Sequence, residues 1–103
     1  MNVNRICIAG ATAVVLLAGA IPAMAYIGQE LAKQAKVNIT EARASALQAF
    51  PGKVSDEELE KEKGGTGLRY SFDIKRGNVT QEVGVDAQTG KVLENAKEGA
   101  NPD

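Results

Sequence analysis

The run KVSDEELEKEKGGTG, residues 53–67, gathers the carboxylates of Asp56, Glu57, Glu58, Glu60 and Glu62 around a single apolar residue, Leu59. Carboxylates at this density offer two chemistries. Calcium takes six to eight oxygens converging on one point, and a carboxylate pair can move protons where a cleft holds it. The pattern fits neither well. Along a strand, alternate carboxylates splay to opposite sides, and no Asp-rich loop with a glycine pivot is present. The GGTG that follows lacks the Lys-Ser/Thr ending and the helix of a phosphate loop. A solvated strand edge is the better account of the run.

The inventory of the remaining chain narrows the chemistry further. MNVNR carries Arg5, ICIAGATAVVLLAGAI is an apolar stretch short for a bilayer-crossing helix, and PAMA places small residues at Ala23 and Ala25. That is the layout of a cleavable export signal, residues 1–25, cut between Ala25 and Tyr26. The alternative is an uncleaved N-terminal anchor. LLAGA resembles a lipoprotein box, but Ala20 stands where the lipidated cysteine belongs. Cleavage would leave 78 of the 103 residues, with no His, Cys, Met or Trp, and 11 Lys+Arg against 13 Asp+Glu. Haem, copper and zinc centres lean on the missing residue types. Triads built on Ser or Cys with His are impossible after residue 25. The charges are nearly balanced and interspersed, which argues against nucleic acid or a membrane surface as partner. The expectation is no enzyme, no cofactor and no metal.

One small domain must therefore be built without disulfides. Residues 26–35 are weakly helical, with Leu31, Ala32 and Ala35 on one side, and form a lead or a short first helix. NITEARASALQAFPG is a stronger helix. Asn38 or Thr40 can cap it, Asn38 having capping-box spacing to Glu41; Ile39, Ala42, Ala46, Leu47 and Phe50 make one apolar stripe, and Pro51 and Gly52 end it. From Leu68 the period becomes two. Leu68, Tyr70, Phe72 and Ile74 point one way, while Arg69, Ser71, Asp73 and Lys75 point the other. The spacing of two makes Tyr70 and Phe72 core residues rather than a ligand-stacking pair. In VTQEVGVD the apolar face is Val79, Val83 and Val85, with Gln81 intruding.

Gly77 and Asn78 signal a tight reversal between these strands. Pairing Ile74 with Val79 sets Tyr70 against Val83 and Leu68 against Val85. A shift by two would place Asp73 opposite Glu82, a like-charge pair, so the first register is predicted. In DAQTGKVL, Asp86 can accept from amides two residues on and Gly90 can turn left-handed. Val92 and Leu93 begin a final strand, and residues 96–103 read as a polar tail. For residues 55–63, local rules favour a helix capped by Ser55, yet Leu59 alone cannot dock one. Burying it contributes about 1.5–3 kcal/mol, less than the cost of ordering the backbone. An edge strand is predicted, with a bulge near residues 55–57 because Val54 and Leu59 differ by an odd number. The fold class is α+β, one main helix on a small antiparallel sheet of three to four strands.

In this order the elements resemble a PepSY domain over residues 36–95. The resemblance rests on ITEARASALQAFPG and on YSFDIKRGNVTQEVGVDAQTGKVL, with Tyr70, Val85, Asp86, Thr89, Gly90 and Val92 fitting the usual pattern. Asp56 and Glu57 depart from it, where more apolar alternation is usual, and the hairpin loop is shorter than in many relatives. The resemblance implies a non-catalytic module that binds or restrains peptidases or other envelope proteins, in the periplasm or outside the cell. No catalytic residue is carried over.

Asp56, Glu58, Glu60, Arg69, Asp73 and Lys75 are the candidate contacts for an envelope protein, a peptidase first. They lie on the exposed sheet face and the acidic edge, to which a partner strand can add. The alternatives are an envelope sensor of cations or small ligands, and an accessory subunit of a membrane redox or signalling system.

Overall fold

The computed structural model describes residues 25–98. The predicted export signal lies outside these residues except for Ala25. A short 3-10 helix, Gln29–Gln34, precedes α1, Ile39–Ala49, and four strands follow: β1, Lys53–Lys61; β2, Leu68–Arg76; β3, Val79–Asp86; and β4, Val92–Lys97. The strands form one antiparallel sheet in sequence order. This is the α+β arrangement that the periodicities call for.

α1 begins where its cap dictates. Asn38 Oδ1 accepts from the Glu41 amide at 2.8 Å, and Glu41 Oε1 accepts from the Asn38 amide at 3.1 Å, satisfying two otherwise orphaned donors. Pro51 prevents continuation past Phe50. Ala42 and Ala46 are fully buried, and Ile39, Leu47 and Phe50 pack at the rim of the core. Beneath them lie Leu59, Tyr70, Phe72, Ile74, Val83 and Val85, all nearly sealed from solvent. Tyr70 also donates its hydroxyl to the Val37 carbonyl at 2.7 Å, pinning the segment ahead of the helix.

β1 is a strand with its register broken between Val54 and Asp56, as the odd spacing of Val54 and Leu59 requires. Its main chain pairs with β2 along its length, so the hydrogen bonds that satisfy the backbone also attach it to the domain, whereas a helix would bond internally and depend on Leu59 alone for docking. Glu57 points to the helix side, where Arg43 grips it with bonds of 2.9 and 3.0 Å.

The hairpin register differs from the predicted one. Arg76 pairs with Val79, Phe72 with Val83, Tyr70 with Val85, and Asp73 faces Glu82. The predicted alignment would have set Gln81 against Phe72 in the middle of the core. Burying an amide there costs about 1–3 kcal/mol, whereas a like-charge pair on a partly wet face costs a few tenths to about 1 kcal/mol. The observed register also adds two backbone pairs beside the two-residue turn. Gln81 moves out opposite Ile74 and donates to Asn95 at 2.6 Å.

β4 runs on through Ala96 and Lys97, where the sequence pattern reads as loose tail. Main-chain pairing with Gln81 and Glu82, and a bond from the Glu98 amide to the Thr80 carbonyl, need no apolar side chain.

Candidate functional site

Among the described residues, the sheet has one face under α1 and one without a helix. Register and alternation put Asp56, Glu58 and Glu60 of β1 on the uncovered face. Beside them stand Arg69, Ser71, Asp73 and Lys75 of β2, Thr80 and Glu82 of β3, and Glu94 and Glu98 at the β4 side. All six residues singled out from the sequence, Asp56, Glu58, Glu60, Arg69, Asp73 and Lys75, therefore share this face.

Arg69 is a correction to its predicted accessibility: only 9% of it is exposed, and its neighbour Ser71 is buried as well. Gly84 leaves the space that the arginine stem fills, since a Cβ there would meet Arg69 Cδ at 2.9 Å. The guanidinium donates to the Lys63 carbonyl at 3.0 Å and to Glu94 at 3.3 Å, and lies 3.8 Å from Glu62. Ser71 donates to Glu60 at 3.0 Å. Arg69 thus ties the β1–β2 loop to β4 and has little charge left for a partner. Asp56 and Lys75 are exposed, and Glu58, Glu60 and Asp73 are half-buried.

The face is strongly acidic. Burial, then Glu98 and Asp56, raises the Asp73 carboxyl above its ordinary value. Burial followed by Glu94 and Asp73 does the same to Glu82, and burial followed by Glu60 and Asp56 to Glu58. Carboxylate oxygens of Asp73, Glu82 and Glu98 lie within 4.8 Å of one another. With one oxygen from each, the three carboxylates supply at most half of a calcium shell of six to eight oxygens. The five acids of residues 56–62 do not converge, because Glu57 turns away to Arg43 while Asp56, Glu58 and Glu60 take the other side. Glu94 and Glu98 were not singled out in advance, although Glu94, Ala96 and Glu98 carry the period-two spacing of a strand.

A second carboxylate works in the opposite sense. Asp86, 1% exposed, accepts from the Thr66 amide and hydroxyl and the Gln88 amide, each at 2.8 Å, and from the Thr89 amide at 3.2 Å. Burial alone would raise its pKa, but these bonds together hold it below the ordinary value. The bond from Gln88 is the one expected from DAQTG, and Gly90 is left-handed, with φ 80°. The clasp on Thr66 is not visible in sequence, since it joins residues twenty apart in the chain.

Comparison with protein families matches residues 36–95 to PepSY, the peptidase propeptide and YPEB domain. The chain belongs to the PepSY family. The match spans the segment from the Lys36 and Val37 amides, which donate to the Ala87 carbonyl, through α1 and all but the end of β4. Neither curated proteins nor solved structures gave a significant match. Among the described residues of this PepSY protein, no helix is long and apolar enough to cross a membrane.

Proposed function

We propose that this PepSY protein is an exported, non-catalytic binding module that restrains a partner protein in the periplasm or outside the cell, with a peptidase as the first class of partner. The family match over residues 36–95 carries the reading, since the family takes its description from peptidase propeptides. Two further observations support it. The chain after residue 25 has none of the His, Cys or Met residues that most metal centres and nucleophilic dyads use. Ala25, the residue before the expected cut, is exposed. Asp56, Glu58, Glu60, Asp73 and Lys75 are the accessible candidates for contact, while Arg69 is engaged by Glu94 and the Lys63 carbonyl.

The test is affinity capture with the processed protein from its own envelope fraction, followed by peptidase assays with and without it. Specific retention of a peptidase whose turnover falls in its presence is the expected result. Retention of nothing, or a captured peptidase whose rate is unaffected, would remove peptidase restraint as the function. A second reading, an envelope cation sensor, draws on the convergence of Asp73, Glu82 and Glu98. Calorimetry with millimolar calcium decides it: absence of binding heat eliminates the sensor and leaves the first reading in place.

A further inference from the structure

We propose that the free edge of β1 is a strand-acceptor site for an extended cationic segment of the partner, and that residues 26–28 form a strap occupying part of it in the unbound protein. The inference rests on the reading of the molecule as a binding module. Among the described residues, β1 has a full strand neighbour, β2, on one side only. The Leu59 amide points away from β2 and donates to the Ile27 carbonyl at 2.9 Å, and Ile27 pairs with Glu58 as a parallel bridge. Strand alternation aims the main-chain groups of Glu57 and Lys61 the same way. The edge therefore already accepts an extended segment, supplied by the chain itself.

The strap is shaped for this contact and is held chiefly by Tyr26, which packs against the core. Gly28 has φ 88°, and a Cβ on it would collide with the Leu59 carbonyl oxygen, so only glycine lets the chain lie so close. Ile27 leaves 69% of its surface exposed, so the strap gains little apolar burial there. A competing strand has more of the edge to pair with than one residue does.

The chemistry of the occupant follows from its neighbours. A strand laid beside β1 sends alternate side chains over the uncovered face, next to Asp56, Glu58 and Glu60. Lys or Arg at alternate positions complements them. The same acids repel acidic strands and a second copy of this edge, so the charge selects among partners as well as attracting one.

The experiment uses protein expressed from the full 103-residue chain, its N-terminus read by mass spectrometry. It is titrated at physiological salt with a synthetic peptide alternating Lys and Thr, followed by amide NMR shifts. A peptide alternating Glu and Thr is the control. Shifts at the Glu57, Leu59 and Lys61 amides are expected with the Lys peptide only. Apparent affinity scales with the open fraction of the site, so Gly28→Val, which lifts the strap, should tighten binding about fivefold or more. Tyr26→Ala serves the same purpose if Gly28→Val disturbs the core amides.

Lys61→Pro separates strand addition from simple charge attraction, because it removes an edge donor and a cation together. Strand addition calls for lost binding, and charge attraction for equal or tighter binding. Equal or tighter binding by Lys61→Pro, no gain on strap release, or shifts confined to Asp73, Glu82 and Glu98 would each overturn the proposal. A peptidase restrained equally well by Lys61→Pro and the parent chain would overturn this proposal while leaving the proposed function standing. Edge binding without any restrained peptidase would do the reverse.

Discussion

Replacing Asp86 by asparagine should remove a large part of the domain's stability. One oxygen of the carboxylate accepts from the Thr66 hydroxyl and from the Gln88 and Thr89 amides, and the other accepts from the Thr66 amide. An asparagine oriented to keep the first three bonds turns its NH2 toward the Thr66 N–H, donor against donor. Hydrogen bonds to a charged acceptor contribute about 1.5–3 kcal/mol against 0.5–1.5 for neutral pairs, and an unpaired donor costs about 1–3. The three bonds share one oxygen and do not add, so the expected loss is about 2–4 kcal/mol. A domain of this size has about 4–11 kcal/mol in all. Each kcal/mol moves Tm by about 4–8 °C at this length, so a fall of about 8–32 °C should appear in circular dichroism melts at pH 7.

Acid should erase the difference. The folded pKa of Asp86 lies below its ordinary value of 3.8, so the unfolded chain takes up this proton first as pH falls. The contribution is whole above about pH 5 and drains away as pH drops through 3.8 toward the lower folded value. Urea titrations of the two proteins at pH 7 and pH 3 follow this directly. A Tm change under about 4 °C at pH 7, or a gap that persists unaltered into acid, would refute the account of Asp86 as a charged clasp.

Three further experiments probe other contacts. Glu82→Gln should stabilise the fold by about 0.5–1 kcal/mol at pH 7 by ending the cost of burying the charge and its repulsion by Glu94 and Asp73. The folded pKa of Glu82 is raised above 4.5, so the parent chain loses stability as pH rises through that window, and the variant's advantage in urea midpoint should vanish near pH 4. A double-mutant cycle on Arg43 and Glu57, a bidentate pair with 33% and 18% of the side chains exposed, should return about 0.5–1.5 kcal/mol of coupling; zero coupling would make the pair incidental. Tyr70→Phe leaves the Val37 carbonyl without its hydroxyl donor and should cost about 1–2 kcal/mol in chemical denaturation, with an unchanged midpoint counting against that anchor.

The helix, the sheet and the broken register of β1 were legible because each rests on a local pattern: the cap at Asn38, the period of two from Leu68, the odd interval between Val54 and Leu59. The hairpin alignment was not. It turned on weighing Gln81 in the core against Asp73 beside Glu82, and the core term is the larger. The exposed residues were legible as a face but not as a site. Arg69 looks free in sequence because its pattern of alternation is that of Lys75, and only the gap at Gly84 on the adjacent strand draws it in. Contacts such as Thr66 with Asp86, or Ile27 with Leu59, leave no local trace. Nothing in YIG announces that its glycine must touch a backbone thirty-one residues later.

The placement of the two tyrosines gives the molecule its own optical reporters. With no tryptophan in the sequence, ultraviolet emission comes from Tyr70, sealed in the interior, and Tyr26, half-buried at the start of the segment that crosses to β1. Converting either ring to phenylalanine isolates the other, so detachment of the N-terminal segment and melting of the interior can be timed separately in an unlabelled sample.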